Sequence, residues 1–246
     1  MSMKSPTLED RLEVRKKPSG DPVMYQTWSN LLFLHWEIDP AQIAARIPEG
    51  LSVDLHEGKT YLGLVPFFMR KVRPRFLPAV PWLSNFLELN VRAYVHDEQG
   101  RPGVWFFSLD CDQPIAVEMA RRFFHLPYQH ARMSAEGTHY RCQRKGKSQD
   151  ALFDYSGGEN LRTAEPGSLE FFILERYLLF SESRSGRIHC GQVHHEPYRY
   201  SEAKVPAMST APLEWEGFHV EGRPLSALAS PGVPVQIHPL RTVKPG

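Results

Sequence analysis

The sequence has little of several features, and each shortage excludes a class of function. Among 246 residues there are three cysteines, and Cys111, Cys142 and Cys190 are too widely spaced for a zinc-type pair or a disulfide framework. This usage is typical of a reducing compartment. The formal net charge is +1, from 29 basic and 28 acidic residues. Without a basic field, we expect no nucleic-acid partner.

Long apolar stretches are also missing. No window approaches the 18 apolar residues of a transmembrane helix, and residues 1–21 are polar and proline-punctuated, unlike a signal peptide. We expect a cytoplasmic protein without membrane contact. Residues 1–22 are interpreted as a partly ordered N-terminal arm, and residues 23–246 as a single domain large enough to bury a core.

Lysine is the third scarcity, with nine lysines against 20 arginines. A buried or partly buried cation in this chain is therefore expected to be arginine. Arginine holds a carboxylate with two parallel hydrogen bonds and keeps its charge when it is removed from water.

The remaining pattern is mostly strands, with few helices. It predicts an α+β domain dominated by antiparallel sheet. One helix is predicted over Gln113–Phe124, where Ile115, Met119 and Phe123 fall four residues apart and form an expected buried stripe. The apolar segment from Tyr61 to Met69 must be buried on both faces, and Pro66 inside it indicates an edge, a bulge or a bend.

The predicted strand Phe86–His96 carries the most information. Its side chains alternate between faces, so that one face is apolar and the other is polar. The polar face consists of Glu88, Asn90, Arg92 and Tyr94. A solvated strand face commonly carries lysine and threonine, and this one has neither. Two interpretations stay open, the wet side of a sheet and the wall of a pocket.

The next predicted strand, Val104–Asp110, returns beside it as a hairpin. If the hairpin register is even, Ser108 and Asp110 lie beside Asn90 and Glu88 on the shared polar face. The loop length does not fix that register.

Several segments resemble the YqjF-like bacterial proteins, a domain-of-unknown-function family. The resemblance runs from about residue 24 to near residue 240 with the motifs in the same order, and several ordered motifs are more specific than any one alone. They are Trp28-Ser-Asn-Leu-Leu-Phe-Leu-His-Trp36, Phe86-Leu-Glu-Leu-Asn-Val-Arg-Ala-Tyr94, Gly103-Val-Trp-Phe-Phe-Ser-Leu-Asp110, Leu126-Pro-Tyr128 and Leu169-Glu-Phe-Phe-Ile-Leu-Glu-Arg-Tyr177.

The resemblance implies the fold of acetoacetate decarboxylase, a curved, closed antiparallel sheet (a β-cone or barrel) with a few short helices and a pocket inside. It implies no activity, because a shared fold does not transfer function. The decarboxylase forms a Schiff base through a lysine. The matching stretch here, Arg101-Pro102-Gly103-Val104, has none, and no lysine lies inside the central hairpin. Schiff-base chemistry is therefore disfavoured.

Other chemistries have weaker signals. The eleven histidines form no His-x-His or His-Glu-x-x-His pattern, so we expect no metal and no other cofactor. Ser108 lies in mid-strand rather than on the tight turn of a nucleophilic serine. Cys111 follows Asp110, whose charge disfavours a thiolate. Tyr128 is assigned to the core.

Two hypotheses follow. In the first, the protein binds or transforms a small carboxylate- or keto-containing metabolite inside the cone. Arg92 would hold an anionic oxygen and Glu88 would act as acid or base. The predicted binding residues are Asn90, Tyr94, Ser108, Asp110 and Arg176, with Arg176 supplying a second anion-binding charge. In the second hypothesis, a Glu88–Arg92 pair only supports the fold or a homo-oligomer interface. The sequence does not decide whether the protein is an enzyme.

Overall fold

The computed structural model describes residues 4–243. Within these residues there are five short helices, α1 (Leu8–Arg15), α2 (Pro40–Ala44), α3 (Pro114–Phe123), α4 (Leu169–Leu174) and α5 (Ala211–Trp215). The thirteen strands are β1 (Met24–Ile38), β2 (Leu51–Val53), β3 (Thr60–Pro74), β4 (Phe86–Asp97), β5 (Pro102–Cys111), β6 (Tyr128–Glu136), β7 (His139–Arg144), β8 (Ala151–Gly157), β9 (Leu178–Glu182), β10 (Ile188–His194), β11 (Ser201–Ala207), β12 (Ser226–Ile237) and β13 (Arg241–Thr242).

All the strands join one sheet that closes on itself twice. Strands β12, β1, β3, β4 and β5 form a shared wall. From β5 the sheet returns to β12 through β6, β7, β8 and β11, which makes a nine-stranded ring, and also through β9 and β10, which makes a seven-stranded ring. Pairing is antiparallel except where β5 meets β6 and β9. The predicted mostly antiparallel, closed and curved sheet with few short helices is confirmed.

The shared wall is buried on both faces because a ring lies on each side of it. Every residue from Phe86 to Asp97 is buried, as is the apolar segment of β3 from Tyr61 to Phe67. Pro66 lies in mid-sheet, opposite a stretch of β1 where pairing is interrupted between Ser29 and Leu34. The β1 irregularity accommodates the missing proline N–H, in agreement with a bulge, one of the three predicted alternatives.

Each ring encloses its own packed interior. The nine-stranded ring is filled by side chains such as Leu34, Leu64, Val91 and Tyr140. The seven-stranded ring contains Phe33, Tyr94 and Phe172 among others, and this ring also holds a cavity. The two interiors receive alternate residues of the same strands, so the face on which a residue of β4 points decides which ring it enters.

One expectation about the helices needs correction. Ile115, Met119 and Phe123 are not a buried stripe, since about half of each side chain is exposed and Val117 is the buried residue of α3. The N-terminal arm contains helix α1, which begins with a capping box on Thr7. Helix α1 also contacts the sheet, because Gln192 donates hydrogen bonds to the backbone carbonyls of Val14 and Lys16.

No helix within residues 4–243 is long and apolar enough to cross a bilayer.

Candidate functional site

A cavity of about 300 Å³ lies inside the seven-stranded ring, against β4 and β5. Its walls are mainly apolar, with a few polar groups, which is the usual character of a small-molecule pocket. The polar and amphipathic side chains that line it are Gln26, Trp28, Glu88, Arg92, Tyr128, Arg176 and Tyr198. The indole N–H of Trp28 is buried in this wall without a hydrogen-bond partner.

Helix α4 organises the polar end of the cavity. The last carbonyls of a helix have no intrahelical partner and accept hydrogen bonds from other groups. Arg92 Nη2 and Tyr94 Oη both donate to the carbonyl of Ile173, at 3.0 and 2.9 Å. Arg176 Nε donates to the carbonyl of Phe172 at 2.5 Å. Strand β4 and the segment after α4 therefore meet at one helix end.

Arg92 is a buried cation without a counter-charge among the described residues. Its side chain lines the cavity and is 9% exposed, and it forms no ion pair within residues 4–243. Its Nε atom has no hydrogen-bond partner in the described part of the chain. The guanidinium carbon lies 5.5 Å from the ring centroid of Phe33 and 5.6 Å from that of Tyr94. Aromatic faces compensate a cation only in part.

Arg176 is the second cation at this end. Its Nη1 donates to Asp54 Oδ2 at 2.6 Å, while its Nη2 is buried without a partner. Burial lowers the pKa of Arg176 to about 10, so the side chain remains charged at neutral pH. The guanidinium carbon lies 4.8 Å from the Tyr94 ring centroid, on which Arg92 also packs. Two guanidinium groups thus keep unused N–H donors beside one cavity.

Asp54 does not fully neutralise Arg176, because it also binds Arg11 of helix α1. Both Nη atoms of Arg11 donate to this carboxylate at 2.7 Å. Burial alone would raise the pKa of Asp54, but Arg176 and Arg11 together hold it below its ordinary value. One carboxylate therefore faces two guanidinium groups, and a net positive charge remains.

Glu88 forms a separate polar position on the same strand face. Its side chain is 3% exposed, and its Oε2 accepts a hydrogen bond from Tyr128 Oη at 2.6 Å. Burial raises the pKa of Glu88 from 4.5 to about 7, while hydrogen bonds from Tyr128 and Asn90 lower it. At neutral pH this carboxyl is divided between its acid and base forms, which is suited to proton transfer.

His35 and Tyr94 form a buried pair beneath the arginines, with His35 Nε2 and Tyr94 Oη 2.6 Å apart. Burial, assisted by the charge of Arg92, lowers the pKa of His35 well below its ordinary value. The ring is therefore neutral. Gly63 lies between His35 and Arg92 in the sheet, and a Cβ there would come within 3.1 Å of the histidine and 3.2 Å of the arginine. Glycine leaves the space that both side chains occupy.

The predicted binding residues divide between the two faces. Glu88, Asn90, Arg92 and Tyr94 share the face that points into the seven-stranded ring. Asn90 is buried, and its Oδ1 has no partner. Glu88, Arg92 and Arg176 line the cavity, whereas Asn90 and Tyr94 support its lining residues.

Ser108 and Asp110 do not join this face, so the even register was wrong. A bulge in β5 at Phe107 shifts the pairing, and Ser108 and Asp110 pair with Val91 and Leu89. Directly paired residues share a face. Both side chains therefore point toward the nine-stranded ring.

In that ring, Ser108 and Asp110 belong to a closed polar cluster around Arg144. Arg144 donates to both oxygens of Asp110 at 2.6 and 2.7 Å and to Ser108 Oγ at 2.7 Å. Its third partner is Glu216. A buried charge that is fully paired in this way supports the fold.

The expected Glu88–Arg92 ion pair does not form. Four residues along an extended strand separate their Cα atoms by about 13 Å. Arg92 turns toward helix α4 and Glu88 toward Tyr128. The two residues occupy different positions along one cavity wall.

Sequence reasoning missed several residues of this site. Tyr128 packs in the core as predicted, but its hydrogen bond to Glu88 and its position in the cavity wall were not predicted. The sequence patterns assigned no role in the site to Asp54, His35 or Tyr198. The motif Leu126-Pro-Tyr128 was a usable signal for Tyr128, because the residue after that proline begins β6 beside β5.

Groups suited to other chemistry are absent from the cavity within residues 4–243. No three His, Cys, Asp or Glu side chains converge as metal ligands there. The eight described lysines, all except Lys244, are exposed, and none lines the cavity. Burial raises the pKa of the Cys111 thiol, which disfavours a thiolate.

Solved structures share this fold. An acetoacetate decarboxylase-like enzyme from Sphingomonas wittichii RW1 matches with a TM-score of 0.61 and 14% identity, over 92% of this chain and 94% of that one. The enduracididine biosynthesis enzyme MppR complexed with pyruvate matches with a TM-score of 0.60 and 12% identity, over 93% of each chain. Acetoacetate decarboxylase from Legionella pneumophila matches with a TM-score of 0.61 and 13% identity, over 99% and 98%. Identities this low show the fold alone.

Sequence similarity identifies a narrower group. The uncharacterized protein YqjF from Bacillus subtilis (strain 168) is 37% identical over 193 residues, which are 76% of this chain and 79% of the relative. The model of the family DUF2071, described as an uncharacterized conserved protein, matches residues 25–234. The chain therefore belongs to the DUF2071 family and has an acetoacetate decarboxylase-like fold.

Proposed function

We propose that the protein binds a small carboxylate-containing metabolite in the cavity of the seven-stranded ring, with Arg92 and Arg176 holding the carboxylate. One observation carries this proposal. Two buried guanidinium groups line an apolar cavity. Within residues 4–243, Arg92 has no ion-pair partner and Arg176 shares Asp54 with Arg11, while Arg92 Nε and Arg176 Nη2 have no hydrogen-bond partner.

A ligand carboxylate would remove an energetic cost that the free protein carries. A charge taken out of water is costly unless it is paired, and an unpaired buried donor costs about 1–3 kcal/mol. A carboxylate brings two acceptor oxygens and the opposite charge into this low-dielectric site, where charge-assisted hydrogen bonds are strong. Apolar or neutral ligands offer no such compensation.

Glu88 supports an acid–base role in the same cavity. Because its pKa is about 7, it can both give and accept a proton at neutral pH. A keto or hydroxyl oxygen of the ligand near Glu88 would receive the proton or lose it. This chemistry needs no amine and leaves the ligand without a covalent bond to the protein.

The test measures binding of pyruvate, a carboxylate with a keto group that is also present in the MppR complex. Calorimetry and thermal unfolding would compare pyruvate and longer 2-oxo acids with their methyl esters, which lack the anionic carboxylate. We expect the acids to bind and raise the melting temperature, and the esters to have no effect.

Three substitutions locate the site. Arg92→Met removes the charge but keeps a long side chain, and it should weaken binding at least tenfold. Arg92→Lys keeps the charge and should weaken binding less. Arg132→Met, on an exposed arginine of β6, is the matched control and should bind as the unmodified protein does. If acids and esters act alike, or if Arg92→Met binds the acids normally, the proposal fails. Loss of stability in Arg92→Met with no ligand for any variant would favour the non-catalytic structural role instead.

A further inference from the structure

We infer that the ligand is an elongated amphiphile, a medium-length carboxylic acid whose chain extends along β4 from the two arginines toward Glu88 and helix α3. This inference rests on the proposed function and names the class of ligand. It also places any second oxygen of the ligand far from the carboxylate, beside Glu88.

The polar positions of the cavity lie far apart. Arg92 and Glu88 point into the same cavity from positions about 13 Å apart along the strand. Their side chains have separate partners, since Arg92 is held by the end of α4 and Glu88 by Tyr128 on β6. A three-carbon acid held at Arg92 leaves the Glu88 end of the cavity empty.

Apolar side chains line the cavity along the length of β4. In the sheet register, Val104 and Phe106 lie beside the arginine end, Leu109 lies between Arg92 and Glu88, and Phe86 and Met69 lie beyond Glu88. Such a wall favours methylene or aryl groups, and each buried methylene contributes favourably to binding. A second carboxylate on the ligand would meet Glu88, which like-charge repulsion disfavours.

The cavity ends at helix α3. Ala116 and Ala120 of this helix line the cavity with small side chains, and Ile115 and Met119 both line it and remain about half exposed. The cavity therefore reaches the surface beside α3. The arginine end is the buried end, so the carboxylate enters first and the chain fills the route behind it.

The experiment is a chain-length series with the whole protein, using unbranched saturated carboxylates from butanoate to decanoate below their micelle concentrations. We expect the dissociation constant to fall about fourfold for each added methylene until the chain reaches α3, and then to stay constant. The corresponding primary alcohols should bind much more weakly at every length.

Two leucine substitutions on the same helix locate the end of the chain. Ala120→Leu adds bulk inside the cavity and should shift the plateau to shorter acids without weakening butanoate. Arg122→Leu adds the same side chain on the exposed side of α3, outside the cavity lining, and should leave the series unchanged.

The results separate the two proposals. Binding of acids with no dependence on chain length would overturn the elongated ligand and leave carboxylate binding intact. A plateau that is the same in Ala120→Leu and the unmodified protein would also overturn it. If no carboxylate binds at any length, the proposed function itself fails. Should Ala120→Leu not fold, the series with the unmodified protein still decides between these outcomes.

Discussion

Arg11 and Arg176 donate to the same oxygen, Oδ2 of Asp54, at 2.7 and 2.6 Å. Arg11 belongs to helix α1, which has no buried residue of its own, while Arg176 lines the cavity. The shared carboxylate therefore connects a surface helix to the electrostatics of the proposed binding site. If Arg11 is removed, Asp54 is left to neutralise Arg176 alone.

Arg11→Met should accordingly weaken carboxylate binding, although Arg11 does not line the cavity. We expect a several-fold increase in the dissociation constant of the acids. Without Arg11, the Asp54 carboxylate interacts with Arg176 alone, so the net positive charge beside the cavity falls. Calorimetry at constant salt would measure the change. Arg15→Met, in the same helix, is the control for general effects on α1.

Asp54→Asn tests the same relationship from the other side. It leaves the buried Arg176 and the partly buried Arg11 without their shared counter-charge, and we expect a loss of about 3–5 kcal/mol in the free energy of unfolding. Urea denaturation would measure it. The double variant with Arg11→Met should recover part of this loss, and a purely additive double variant would contradict the shared-carboxylate account.

Glu88 makes stability depend on pH in a predictable direction. Its pKa is about 7 in the folded protein against an ordinary 4.5, so the folded state binds the proton more tightly. The associated stability is complete below about pH 4.5 and is lost as pH rises through 7. The Glu88 carboxyl should lower the free energy of unfolding of the unmodified protein by about 3 kcal/mol between pH 4.5 and pH 8.5. Glu88→Gln cannot ionise at this position and should lack this contribution. Urea unfolding at both pH values would measure it, with exposed Glu136→Gln as control. Equal pH slopes for Glu88→Gln and the unmodified protein would refute the buried, elevated carboxyl.

Tyr128→Phe should raise the pKa of Glu88 further. The phenol donates to the ionised carboxylate and stabilises it, so its removal disfavours the charged form. We expect an increase of about one unit, from the typical strength of a hydrogen bond to a charged group. A carboxyl carbon NMR titration would report it. An unchanged or lowered pKa would show that Tyr128 does not donate to the charged form.

The alternation of β4 could be predicted from its sequence because side chains on a strand have a period of two. The β5 side chains that share the face of Glu88 could not be predicted. One extra residue in β5, Phe107, shifts the pairing and reverses which β5 side chains lie on that face. Hairpin register depends on such bulges, which no periodicity records. Ser108 and Asp110 were therefore joined to the pocket in error.

The charges around the cavity illustrate a second limit. Arg176 was predicted to add an anion-binding charge beside Arg92, and it does line the cavity. Its partner Asp54 and the helix that shares it come from segments 122 and 165 residues away, so no local pattern connects them. Long-range ion pairs become visible only when the chain is folded.

Arg144 should matter for stability and not for ligand binding. Arg144→Met leaves Asp110 and Glu216 without their shared cation, and the buried position of Asp110 makes this costly. We expect a loss of about 3–5 kcal/mol in urea denaturation. The affinity of the folded protein for carboxylates should be unchanged, because the cluster lies in the other ring. A selective loss of binding would place Ser108 and Asp110 back in the functional site.

The absence of a lysine from the described cavity wall predicts that ketones are not trapped covalently. With pyruvate and cyanoborohydride, mass spectrometry should detect no stoichiometric adduct, and Lys244→Arg removes the one lysine outside the described residues. Phe106→Lys is the positive control, since it introduces an amine on the apolar wall opposite Arg92 in the sheet. A nearby cation and an apolar site lower the pKa of a lysine and make its amine nucleophilic. We therefore expect an adduct of one molecule in Phe106→Lys alone, whereas an equal adduct in the unmodified protein would mean that Schiff-base chemistry was excluded wrongly.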